Sequence, residues 1–158
     1  MSKPVRLTLI IVGAIVTILV LGGAAAFVIG GRAMTRTMAL PPETVATPND
    51  SASLARGAHL ATIWGCVDCH GADLGGNVMI PGGPFAYLVA PNLTTGSGGI
   101  GGAASDAALE LAIRHGVGLD GRVLMIMPSM EYHAATDEDL GSIIAYVRSV
   151  PPVDREVF

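Results

Sequence analysis

Apolar residues fall along this chain in three patterns. From Leu7 to Gly31 they form one block, LTLIIVGAIVTILVLGGAAAFVIGG, without a charged residue. At a rise of ~1.5 Å per residue, some 23 residues of helix cover roughly 34 Å, enough for a hydrocarbon core of ~30 Å. The block therefore predicts a single transmembrane anchor over residues 7–31, after a cytoplasmic N-terminus of residues 1–6. A secretory signal is the competing reading, with Lys3 and Arg6 as its basic start and Ala24, Ala25 and Ala26 as a small-residue cleavage site. The run exceeds an ordinary signal core in length, so an uncleaved anchor is preferred.

The second pattern is the lack of one. Residues 37–53, TMALPPETVATPNDSAS, hold three prolines and show neither helical spacing nor alternation. They predict a flexible tether within a linker over 32–52, whose ~20 residues would reach roughly 25 Å. Residues 71–102 are equally aperiodic and rich in Gly and Pro. About 30 residues of irregular loop inside a compact domain are unusual unless a large rigid group serves as the surface they pack on. A haem would do that; a zinc ion would not.

The third pattern is helical and predicts a folded domain over 53–152. LARGAHLATIWG places Leu54, Ala58 and Ala61 at helical intervals. SDAALELAIRHG starts with Ser105 as N-cap, lines up Leu109, Ala112 and Ile113, and stops at Gly116. TDEDLGSIIAYVRSVPP starts with Thr136 as N-cap and puts Asp137, Glu138 and Asp139 at the positive helix end. It continues through Leu140, Ile143, Ile144 and Val147 to Arg148, and Pro151 halts it. Residues 153–158 read as a tail. The soluble part is expected to be all-α, with three helices, long loops and no strand.

Charge narrows the partners. Lys3 and Arg6 before the span are matched by Arg32 and Arg36 after it, so the positive-inside rule gives no orientation. Residues 37–158 keep five of the nine basic residues and all thirteen acidic ones, a formal charge of −8. Nucleic acid is a poor partner for such a surface. A partner with a basic docking surface suits it better.

Both cysteines lie in CVDCH, residues 66–70. A redox dithiol of this spacing needs strands around it and a helix N-terminus, whereas here helical pattern precedes it. Structural zinc needs four ligands; Cys66, Cys69 and His70 supply three, and His59, His115 and His133 stand apart in sequence. Cys-x-x-Cys-His is the attachment signature of c-type haem. Two thiols add across the haem vinyl groups, and the following histidine reaches the iron.

With CVDCH and with APNLT at 90–94, the sequence resembles the class I cytochrome c family over roughly residues 54–152. The resemblance implies the cytochrome c fold, one covalent haem c with its iron, and attachment outside the cytoplasm. It implies that Pro91 accepts a hydrogen bond from the free ring nitrogen of His70 and that Leu93 covers a porphyrin face. The sixth ligand in this family is a methionine on a late loop, often before proline. Met127, followed by Pro128, matches that pattern; Met130 is next, and Met125, Met130 and Met79 otherwise read as apolar packing. Tyr146 and Gly57 correspond to the family's close helix crossing. Arg114 and Arg122 are candidates for pairing with haem propionates. Trp64 departs from the family's pattern, standing two residues before Cys66 rather than in mid-chain.

The function implied is single-electron transport, as in a respiratory chain, by a cytochrome domain in the periplasm or other extracytoplasmic space. The N-terminal helix would contact membrane lipid and hold the domain near membrane redox complexes or dehydrogenases. With His70 and Met127 both on iron no substrate position is left, so neither an enzyme nor a small-molecule substrate is expected. Rival readings are a haem relay subunit of a membrane dehydrogenase or oxidase, and a gas sensor with an open sixth position.

Overall fold

The N-terminal apolar block forms α1, Lys3–Met34, with no buried residue anywhere along it. The computed structural model describes residues 2–41, 43–82 and 86–157. Parts of the predicted N-terminus, linker, long loop and tail that fall on Met1, Pro42, residues 83–85 and Phe158 lie outside these. After α1 come α2 (Ser51–Ile63), α3 (Cys66–His70), β1 (Asn77–Pro81), β2 (Tyr87–Ala90), α4 (Asp106–His115), α5 (Ser129–Tyr132) and α6 (Asp137–Ser149).

Capping chemistry sets the helix starts. Asp50 caps α2, its carboxylate accepting from the amides of Ala52 and Ser53 at 3.1 and 3.0 Å. Ser105 and Thr136 cap α4 and α6 as predicted, each accepting from the amide three residues on. The core forms where α6 delivers Leu140, Ile143, Ile144 and Val147 against Leu109, Leu74, Ala104 and Val45. α2 crosses α6 at Gly57, where a Cβ would stand 2.0 Å from the Ser142 carbonyl oxygen and 2.8 Å from the Cβ of Tyr146. That is the close crossing expected of Gly57 and Tyr146.

The chain is mostly helical, but the all-α expectation needs correction. β1 and β2 form an antiparallel hairpin inside the stretch read as loop, pairing Asn77 with Ala90 and Pro81 with Tyr87. Every residue of β1 is exposed, and the register shifts between Val78 and Ile80. A strand without a buried face carries no alternation to read.

The free tether is corrected too. The described residues 36–41 and 43–47 are docked as a strap. The Arg36 carbonyl accepts from the Val123 amide at 3.0 Å, the Met38 amide donates to Gly121 at 2.9 Å, and Thr37 pairs with Arg122. Further on, Val45 is buried in the core and Thr47 donates to Asp106 at 2.9 Å. Gly141 of α6 is what lets the strap lie flat, since a Cβ there would stand 2.0 Å from the Ala46 carbonyl oxygen. Nor do residues 153–157 trail away. Val157 is buried, its carbonyl accepts from the Tyr87 hydroxyl, and Arg155 grips Asp73 through two nitrogens.

Candidate functional site

The CVDCH segment is itself helical, a five-residue turn entered directly from α2 through Trp64 and Gly65. Both thiols are half-buried and form no disulfide. Burial pushes the Cys66 thiol up to about 11. A redox dithiol needs a readily formed thiolate, so this environment argues against that chemistry.

His70 Nδ1 lies 2.8 Å from the Pro91 carbonyl oxygen. A carbonyl only accepts, so Nδ1 carries the proton and Nε2 keeps its lone pair for a metal. Burial also holds the imidazole pKa below its usual value, the Pro91 contact only partly opposing this, and the ring stays neutral.

A buried polar network places the Pro91 carbonyl. Asn92, wholly buried, donates through Nδ2 to the carbonyls of Val153 and Arg155 at 2.7 and 3.3 Å. Its Oδ1 accepts from the amide and hydroxyl of Thr94 at 2.9 and 2.8 Å. The Leu93 amide donates to Leu74 at 2.8 Å, and the Gly76 amide to the carbonyl of His70 itself. The structure thus joins His70 to Pro91 directly and ties Leu93 to the segment that follows the cysteines. Leu93 is half-buried and packs on the core cluster.

Met127 sits half-buried on the loop between α4 and α5. That loop is moored to α4 at both ends: the Leu124 amide donates to Gly116 at 2.7 Å and the Ser129 hydroxyl to Ala112 at 3.0 Å. Met130 and Met125 are 95% and 60% exposed, and Met79 is 40% exposed on β1, so none of the three packs in the protein core.

Both arginines proposed for propionates are engaged elsewhere. Arg114 is buried, with Glu43 and Asp137 each at 2.7 Å and Glu110 at 3.3 Å. Arg122 pairs with Asp120. Glu110 is completely buried, and a carboxylate so placed draws a guanidinium inward. His115 and His133 also prove to be neighbours, with ring centroids 5.5 Å apart. Glu43, Glu110 and His115 converge within 4.8 Å, but Arg114 already bridges the two carboxylates.

Tyr132 went unrecognised in the sequence. It is buried, stacks on Trp64 at 5.5 Å, and donates its hydroxyl to the Trp64 carbonyl at 2.6 Å. It links α5, just past Met127, to the residue two before Cys66. The signal available was an aromatic residue five positions after Met127, facing the displaced Trp64.

Two free thiols, a neutral imidazole with an uncommitted Nε2 and a braced carbonyl behind it are the donor set that covalent haem attachment requires. A family model for cytochrome c matches residues 54–151. The chain belongs to the cytochrome c family. Its cofactor is therefore covalently bound haem c with iron, and its chemistry is electron transfer. The fructose dehydrogenase cytochrome subunit of Gluconobacter japonicus is 32% identical over 127 residues, 76% of this chain and 26% of that protein. A nicotinate dehydrogenase subunit from Pseudomonas putida is 34% identical over 112 residues, 67% of this chain and 9% of that protein. The cytochrome c subunit of a quinone alcohol dehydrogenase from Gluconacetobacter polyoxogenes is 32% identical over 114 residues, 68% of this chain and 24% of that protein. The chain spans about a quarter or less of the length of these relatives.

Proposed function

We propose that this cytochrome c is a membrane-anchored, single-haem electron carrier working at the extracytoplasmic face, with thioether links at Cys66 and Cys69 and axial ligation by His70 and Met127. The observation that carries the reading is the 2.8 Å bond from His70 Nδ1 to Pro91, which frees Nε2 beside two unpaired thiols. When bound, the haem iron supplies one-electron exchange between ferric and ferrous states, and His–Met ligation favours the ferrous one. The protein's own residues hold that centre still. Pro91 fixes the histidine ring and tautomer, the Asn92–Thr94 network fixes Pro91, and α4 moors the loop of Met127. With His70 and Met127 both holding the group, neither side chain would have to leave it during electron exchange, and no position would remain for a substrate. α1 keeps the domain at the membrane, where the acidic surface would meet basic faces of redox complexes.

The test combines mass and colour. Intact mass of the mature protein is expected to include one haem per chain. Replacing Met127 with Ala is expected to abolish the weak long-wavelength sulfur-to-iron band of the oxidised protein and to let carbon monoxide bind the reduced form. A Met127→Ala protein with an unchanged spectrum would remove Met127 from the iron; an intact mass without haem would remove the site altogether.

The relatives' names favour a second reading, in which the chain is a fixed relay subunit of a dehydrogenase. Extraction in mild detergent separates the two: a carrier emerges alone, a subunit with companions in fixed ratio.

A further inference from the structure

The strap leaves almost no slack between α1 and the haem domain. α1 ends at Met34, and Arg36 already accepts from the Val123 amide, followed by the Thr37–Arg122 pairing and the Met38 bond to Gly121. From Gly31, where the apolar block ends, three helical residues and two extended ones carry Arg36 at most ~12 Å past it, within about two headgroup layers. The loop bonded to the strap is Gly118–Met127, which exposes three large apolar side chains, Leu119 at 48%, Met125 at 60% and Ile126 at 58%, beside the exposed Asp120 and Arg122. Its charges, Asp120 and Arg122, neutralise each other, while Arg32 and Arg36 flank it from the chain side.

We propose that the Leu119–Ile126 loop is a membrane-contact surface, with Leu119, Met125 and Ile126 seated in the lipid headgroup zone and Arg32 and Arg36 facing lipid phosphates. The inference rests on the reading of α1 as a membrane span. A lipid surface is the occupant because covalent reach keeps the loop beside the bilayer whatever the tilt of α1. Exposed apolar side chains in that layer lose water contact, and arginines meet phosphates. The domain then does not swing. The ligand loop faces the bilayer, and partners reach the haem from the membrane side or along its surface.

The test uses the full-length, haem-loaded chain in vesicles of phosphatidylcholine, with and without phosphatidylglycerol. Haem attachment consumes both native cysteines, so an introduced one takes a spin label uniquely. Labels go on Leu119→Cys, Ile126→Cys and, as control, Ser149→Cys. Ser149 ends α6 near Asp106, at the far end of α4 from the loop. Flotation of the vesicles tests the span separately. Labels at 119 and 126 are expected to collide more with oxygen than with a water-soluble nickel chelate, and the label at 149 the reverse. Floating protein whose labels at 119 and 126 are as water-exposed as at 149 would overturn the contact while leaving the anchor intact. Protein that does not float would overturn the anchor and this inference with it.

Discussion

Gly57 shows how much a single missing methyl group decides in this protein. The atom nearest its absent Cβ is a backbone oxygen, Ser142 O at 2.0 Å, which no rotamer change can move aside. Gly57→Ala must therefore push α2 off α6 and disturb the Tyr146 contact beside it. Overpacking of this kind costs ~1–3 kcal/mol, and here the rigid neighbour favours the upper end. Urea unfolding of the haem-loaded variant is expected to show a lower midpoint; an unchanged one would mean that the crossing has slack. Ala55, two positions earlier on α2 and exposed, is the control, and Ala55→Ser is expected to unfold like the parent. The same contrast between local and distant causes explains which residues sequence alone could assign. Cys66, Cys69 and His70 announce themselves because their chemistry is local. Tyr132 does not, since its partner Trp64 is 68 positions away.

At the scale of elements, the helices could be read because caps and periodicity are short-range properties. The hairpin could not, for β1 buries nothing, and the strap could not, for its contacts are backbone bonds and single side chains without a period. Composition described its prolines correctly and said nothing about docking. The strap is clasped to the helices by Arg114, which reaches Glu43 on the strap, Glu110 on α4 and Asp137 on α6. Neither oxygen of Glu110 has a hydrogen-bond partner of good geometry, so Arg114 is the main charge balancing it. Arg114→Met is expected to cost ~3–5 kcal/mol, because it strands a buried carboxylate. Adding Glu110→Leu removes the stranded charge, and the double variant is expected to recover most of that loss in the same urea titration. If the double variant is no better than the single, the strap contact to Glu43, not charge compensation, sets the cost.

Over the whole molecule, the strap and residues 153–157 do the same job. The strap holds the loop that carries Met127, and residues 153–157 hold the segment that carries Pro91. The loops that carry Pro91 and Met127 are thus each braced by a segment that looked in sequence like a tail or a linker. The C-terminal brace contains a titratable clasp. Arg155 donates to both oxygens of Asp73, and this bonding, helped by the Gly75 amide, holds the Asp73 carboxyl down at about 2 from a usual 3.8. A carboxyl lowered on folding stabilises the folded state fully above its unfolded value and ceases to do so as pH falls through its folded value. The clasp is therefore intact at neutral pH and is lost between 3.8 and about 2. Both groups are partly solvent-exposed, so the effect is modest and screened by salt. Thermal melts of the parent and of Asp73→Asn across pH 2–6 make it visible. The parent is expected to melt higher above pH 4, the gap closing towards pH 2 and narrowing in high salt. No gap at any pH would mean that Asp73 acts through its bond to the Gly75 amide, which an asparagine side-chain oxygen can also accept, rather than through its charge.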